Sequence, residues 1–319
     1  MRRSLAPAFS DKALREQESL IQSYDDLLIH CLGEQIELGK PVVDMTRWYN
    51  YTTFDIITDL CFGEPLYCLR DNEYHFWVFM VFQSIKAIGV QSVMRRFPFL
   101  FALSKKMIPK EVIENRKKFF YMVSAKATER LQHGVGRPDV ISYYLKNKSE
   151  VANEEESMTK KELDSNLVAI LAAGSETTAT LLSGTTYMLL KHPAVLSKLI
   201  HEIRSRFHSL TEITIEEVNK LPYLIACLQE GMRMYPPVPA GFTRVVPPGG
   251  GIISGHFIPE GTSVSMSQHA AYHSSRNFVE PDSYIPERWL ADAEPKFKAD
   301  KTTVLQPFSV GPRNCLGKR

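Results

Sequence analysis

Phe308-Ser-Val-Gly311-Pro-Arg313-Asn-Cys315-Leu-Gly317 sets a lone cysteine into a turn framed by two glycines. Glycine has no Cβ, so it admits φ > 0 and lets backbone come close to a bulky planar group. Amides freed by such a turn can point at the sulfur and hold it as thiolate. Phe308 offers an aromatic face to pack near a porphyrin, and Arg313 a guanidinium whose fork suits a haem propionate. The stretch reads as a protein-built axial ligand for haem iron, with Cys315 as the metal-binding residue.

A second unusual stretch lies upstream. From Ser165 to Leu190 the only charge is Glu176, over a length that would cross a bilayer. Its Thr and Ser content and the carboxylate at its centre point instead to a long helix through a protein core. Thr159-Lys-Lys-Glu162 is a capping box that starts this helix, and His192-Pro193 ends it after Lys191. Its middle reads Ala173-Gly174-Ser175-Glu176-Thr177-Thr178, which is poor helix design. A mid-helix Gly costs about 1 kcal/mol against Ala, and an uncompensated buried charge costs more. Some function is expected to offset it.

Apolar spacing predicts further helices over 12–38, 46–61, 74–86, 110–132, 138–146, 193–207 and 222–234, with Pro138 near a first-turn position. Short strands are expected over 242–246, 251–258 and 262–266, separated by turns at Pro247-Pro-Gly-Gly-Gly and Pro259-Glu-Gly261. The triple glycine lacks the Lys and following helix of a phosphate loop, so a hairpin turn is the better reading. Glu230 and Arg233, one turn apart on a helix, can pair, and the guanidinium of Arg288 can take the other carboxylate oxygen. The 319 residues carry a formal net charge of +2, with basic doublets scattered rather than clustered, which argues against a nucleic-acid surface. Five cysteines with no Cys-x-x-Cys pair read as free thiols, not a disulfide framework or a zinc site. The N-terminus shows no apolar signal or anchor segment.

The spacing Phe-x-x-Gly-x-Arg-x-Cys-x-Gly resembles the signature of the cytochrome P450 family of haem-thiolate monooxygenases, whose thiolate favours O–O cleavage. The Gly174-Ser-Glu-Thr177 stretch and the Glu230/Arg233/Arg288 set stand in the family's order, so the resemblance covers essentially the whole chain. It implies a mainly α fold of the cytochrome P450 type, with small β-sheets in the C-terminal third, as a single domain fragment over 1–319. It implies that the helix opens at Glu176 and Thr177 over the distal face of the haem, where acid and hydroxyl manage protons. Arg244 and Arg2 match positions that contact propionates, beside Arg313, while Phe308, Gly311 and Gly317 shape the turn around Cys315. Glu230, Arg233 and Arg288 match the family's structural triad.

The implied cofactor is haem b, with NADPH electrons delivered by a separate flavoprotein reductase. The implied reaction inserts one oxygen atom of O2 into a small apolar molecule. Trp48-Tyr-Asn-Tyr-Thr-Thr-Phe-Asp-Ile-Ile57 and Arg244-Val-Val-Pro-Pro-Gly-Gly look most like fungal microsomal members that decorate secondary metabolites, at the cytosolic face of the endoplasmic reticulum membrane. Family members carry further residues at both ends, so the chain is expected to be truncated. Two alternatives stay open: a non-catalytic chain that does not retain haem, and a haem-thiolate isomerase or dehydratase that needs no reductase.

Overall fold

A computed structural model describes residues 2–95, 97, 99, 101–102, 108–150 and 158–318. The longer helices are α1 (Asp11–Glu37), α2 (Met45–Phe62), α3 (Phe76–Met94), α4 (Lys110–Gln132), α5 (Val140–Glu150), α6 (Lys160–Lys191), α7 (Pro193–Arg206) and α8 (Pro222–Met234). Their ends follow local chemistry. The Ser10 hydroxyl accepts from the Ala13 amide to open α1, and the Asp44 carboxylate accepts from Thr46 and Arg47 to open α2. Proline, which has no N–H to leave unpaired, opens α7 and α8. The capping box at α6 forms in both directions: Thr159 N–H donates to the Glu162 carboxylate at 2.8 Å, and Glu162 N–H donates to the Thr159 hydroxyl at 3.3 Å.

Two compact units result, Met1–Ala179 with Leu316–Arg319, and Thr180–Cys315. The first is built on the aromatic and aliphatic faces of α1 to α5 and the early turns of α6. Trp77 meets Phe62 and Phe119 edge-on at 5.5 and 5.6 Å, inside a core that includes Tyr51, Phe54, Val123 and Ile141. Along α6 the buried residues Leu163, Leu167, Leu171, Ser175 and Ala179 recur every fourth position, so one stripe faces this core. The expected boundaries move most in two helices, at both ends of each. Helix α3 runs to Met94 rather than residue 86. Helix α5 starts at Val140 rather than near Pro138, because the Asp139 carboxylate caps it by accepting from the Ser142 amide at 2.8 Å. The same carboxylate is buried against Arg130 at 2.7 Å, and Arg137 bridges Asp139 and Asp59.

The second unit holds the last turns of α6, then α7, α8, a short helix α9 (Gln268–Tyr272), and two antiparallel pairs. β1 (Arg244–Val245) pairs with β4 (Ser263–Val264), and β2 (Gly251–Ile253) with β3 (His256–Ile258). The stretch expected as one strand over 251–258 is therefore a hairpin. Ser254 and Gly255 take φ of +50° and +83°, and such positive φ values at both central positions fold the chain back on itself. The Pro247-Pro-Gly-Gly-Gly segment is a turn, with Gly250 N–H donating to Pro247 O at 3.1 Å, but it joins β1 to β2, which belong to different pairs, so it is not the expected hairpin turn. A Cβ at Gly250 would lie 2.5 Å from the Phe257 ring, so only glycine fits there.

Candidate active site

The turn that carries Cys315 is anchored at its start and closed at its end. Gln306 donates its N–H to the Tyr272 hydroxyl at 2.9 Å, and its carbonyl accepts from Gln268 Nε2 at 3.0 Å and from Ser309 N–H at 3.0 Å. At the far end Asn314 N–H donates to Gly311 O at 3.1 Å and Cys315 N–H to Phe308 O at 2.8 Å. These two amides therefore close the turn instead of facing the sulfur, contrary to the simplest reading of the motif. The glycines also differ from expectation. Gly311 has φ +83°, but Gly317 lies outside the left-handed region, and the second left-handed residue is Ser309 at φ +58°. A non-glycine there costs on the order of 1 kcal/mol.

Of the five thiols only Cys315 is exposed. Burial pushes the Cys68 and Cys227 thiols up to about 12, and raises those of Cys61 and Cys31 as well. Phe308 and Val310, 37% and 63% exposed, precede the cysteine in the same turn. Arg313 in the same turn and Arg244 on β1 are exposed and hold no ion pair among the described residues. The donor set suits haem: a soft sulfur for iron, apolar side chains for the macrocycle, and guanidinium groups for carboxylates.

Behind the turn lies a buried ionic scaffold. Arg233 grips both oxygens of Glu230, with Nε at 2.9 Å and Nη2 at 2.8 Å, and all three charged side chains of the triad are solvent-free. The second oxygen of Glu230, expected to go to Arg288, goes to Arg233 as well. Instead Arg288 Nε shares Oε1 at 3.2 Å, Trp289 Nε1 donates to Oε2 at 2.9 Å, and the carboxylate that Arg288 meets end-on is Asp300. Two carboxylates thus balance two guanidiniums, which is the condition for keeping such charges away from water. Arg233 also donates to the carbonyls of Tyr272, Pro281 and Ser283, tying α8 to the chain before the Cys turn. Trp289 could have been found from its place beside Arg288. Nothing local marks Asp300, Tyr272 or Gln268.

In the first unit, α6 runs unbroken through Gly174 and Thr177, so the expected opening of the helix is not present. The Thr177 hydroxyl donates to Ala173 O and that of Ser175 to Leu171 O, each at 2.6 Å, which satisfies both polar groups within the helix. Glu176 is different. Its Oε2 is buried without a hydrogen-bond partner among the described residues, and burial raises its pKa above the ordinary carboxylate value. Gly174 has a packing reason: a Cβ there would lie 2.9 Å from Ile57 Cδ1 on α2. Arg2 is exposed on the short helix Arg2–Leu5, and Gly317 belongs to this unit as well.

Residues 1–319 match the family model described as Cytochrome P450. The chain is 52% identical over 319 residues to Cytochrome P450 monooxygenase lcsI of Purpureocillium lilacinum, covering 100% of this chain and 61% of that protein. It is 46% identical to Cytochrome P450 monooxygenase traB of Penicillium crustosum, covering 99% of this chain and 62% of that protein. With the Averantin hydroxylase of Dothistroma septosporum it shares 42% over 318 residues, covering 100% of this chain and 59% of that protein. It therefore spans about three fifths of the length of the curated relatives it matches. A glycine-framed exposed thiol, the buried Glu230/Arg233/Arg288 scaffold and a match along all of its residues agree: the chain belongs to the cytochrome P450 family.

Proposed function

We propose that this chain is the catalytic core of a fungal haem-thiolate monooxygenase that acts on a small apolar secondary metabolite. The carrying observation is that Cys315 is exposed in its turn while the other four cysteines are buried. The family match and the printed names of the relatives, monooxygenases and a hydroxylase, support the reaction class. The continuous match over residues 1–319 supports reading both compact units as parts of one domain. When bound, haem b supplies the reduction of O2, with two electrons and two protons, that places one oxygen atom in a C–H bond and releases the other as water.

The chain's own residues then have separate tasks. Cys315 presents the sulfur, held by the Phe308 and Gln306 hydrogen bonds. Gly311 supplies the left-handed turn, Gly317 follows the ligand, and Phe308 packs on the macrocycle. Arg313, Arg244 and Arg2 neutralise propionates. Glu176, whose burial keeps its proton to a higher pH than an ordinary carboxyl, is the acid. Thr177, with its hydrogen committed to Ala173 O, offers its oxygen as an acceptor that orients a proton donor, and it donates only after turning away from that carbonyl. Electrons come from NADPH through a flavoprotein reductase at the endoplasmic reticulum membrane, a reading that rests on membership of the family. Cys315→Ser should abolish the red-shifted Soret band of the reduced, CO-treated protein. The assignment fails if Cys227→Ser has that effect and Cys315→Ser does not.

A further inference from the structure

Tyr272 and Gln268 stand one turn apart on α9, so their side chains leave the same face of the helix. Both are buried, at 0% and 6% exposure. They hold one residue from two sides: Tyr272 accepts the Gln306 N–H at 2.9 Å, and Gln268 Nε2 donates to the Gln306 carbonyl at 3.0 Å. Gln268 Oε1 meets no donor among the described residues, so this amide is placed for its N–H alone. Turned over, it would set an oxygen against the Gln306 carbonyl. The other end of Tyr272 is held too, because its backbone carbonyl accepts from Arg233 Nη1 at 2.9 Å. A single residue thus joins the Glu230/Arg233 scaffold to the start of the Cys315 turn.

We propose that Tyr272, assisted by Gln268, is a positioning residue for the Cys315 ligand. This inference rests on the haem-thiolate reading above. The turn holds two residues in the left-handed region, Ser309 and Gly311, and a strained conformation persists only while its surroundings over-determine it. Ser309 N–H returns to the carbonyl of Gln306, so fixing Gln306 fixes the strained residue next to Phe308, whose carbonyl takes the Cys315 amide. A ligand oriented by such outer contacts binds its metal more tightly than a loosely held one.

Tyr272→Phe removes only the acceptor oxygen and leaves the Gln306 N–H without its partner. In the haem-loaded protein, acid should abolish the red-shifted Soret band of the reduced CO complex at a pH about one unit higher than in the parent, a roughly tenfold change in the ligation equilibrium. Amide exchange at Gln306 should accelerate about tenfold as well. Gln268→Ala should move both readouts in the same direction by less, and it carries the test alone if Tyr272→Phe does not fold. Tyr284→Phe is the control: that buried hydroxyl donates to Cys227 O at 3.0 Å, away from the turn, so it should lower stability and leave the midpoint in place. Parental midpoint and exchange in both Tyr272→Phe and Gln268→Ala, or an equal midpoint shift in Tyr284→Phe, overturn the inference. A Cys315→Ser protein that keeps the red-shifted band overturns the thiolate reading itself, which separates the two failures.

Discussion

Glu176 and Cys315 are opposite solutions to placing a reactive group. The thiol is left in the open, where solvent and ligands reach it, while the carboxyl is half-buried with one oxygen unpartnered among the described residues. That burial raises the Glu176 pKa, so the folded chain keeps this proton over a pH range in which the unfolded chain has released it. The native state then binds more protons than the unfolded one, and stability falls as pH rises through that range. The stabilisation from the neutral acid is fully present below the ordinary carboxylate pKa and is lost above the raised one. Glu176→Gln, which cannot ionise, should match the parent in acid and be the more stable of the two at neutral pH. Denaturant melts at the two pH values measure this, and an equal difference at both would refute a burial-raised carboxyl. The glycine-framed motif around Cys315 reads as a turn, but nothing in it marks Ser309 as a left-handed residue. Serine has no intrinsic preference for that region, and contacts from Gln306 and Phe308 impose it.

Among the elements, α6 was the most legible, since its capping box and its Pro193 stop are local signals. The reason for Gly174 was not local. Read alone it marks a weak point in the helix, but in the fold it is where Ile57 of α2 approaches too closely for a Cβ. Similar close approaches fall at Gly231 of α8, whose Cβ would lie 2.3 Å from the Thr185 hydroxyl, and at Gly184, 2.6 Å from the Tyr235 ring. Gly174→Ala gains about 1 kcal/mol of helix propensity and pays about 1–3 kcal/mol for overpacking. We expect a net loss of about 1 kcal/mol. In an Ile57→Val background, which removes the Cδ1 atom 2.9 Å away, the same change should become neutral or stabilising. A double-mutant cycle reads this coupling, and simple additivity would remove the contact as the cause. Local pattern does not show where a strand reverses, so the 251–258 stretch reads as one strand although Ser254-Gly255 is its turn.

At the scale of the whole molecule, each compact unit contains its own ionic cluster, buried Arg130/Asp139/Asp59 bridged by half-buried Arg137 in one and Arg233/Glu230/Arg288/Asp300 in the other. Removing one partner from such a cluster strands its counter-charge and typically costs about 3–5 kcal/mol, so these clusters hold each unit to one arrangement. The same separation of inside from outside sorts the cysteines. In haem-free folded protein, a neutral thiol reagent should modify one thiol of five rapidly and the other four only on unfolding, because those four lack both access and thiolate. Cys315→Ala should remove the fast reaction, and haem loading should suppress it. Two or more fast thiols in the folded parent would contradict the burial pattern.

From the sequence by itself came the turn around Cys315, the helical class, the position of α4 to the residue, the cap of α6 and the pairing of Glu230 with Arg233. Each depends on residues within a few positions of one another, where periodicity and side-chain-to-backbone bonding act without the rest of the chain. Tertiary structure alone decided that Arg288 answers to Asp300, that Trp289 completes the Glu230 carboxylate, and that Gly174 makes room for Ile57. It alone set Tyr272 beneath Gln306. Those partners lie 12 to 117 positions apart and meet only because burial leaves a polar group or a close backbone nowhere else to be satisfied.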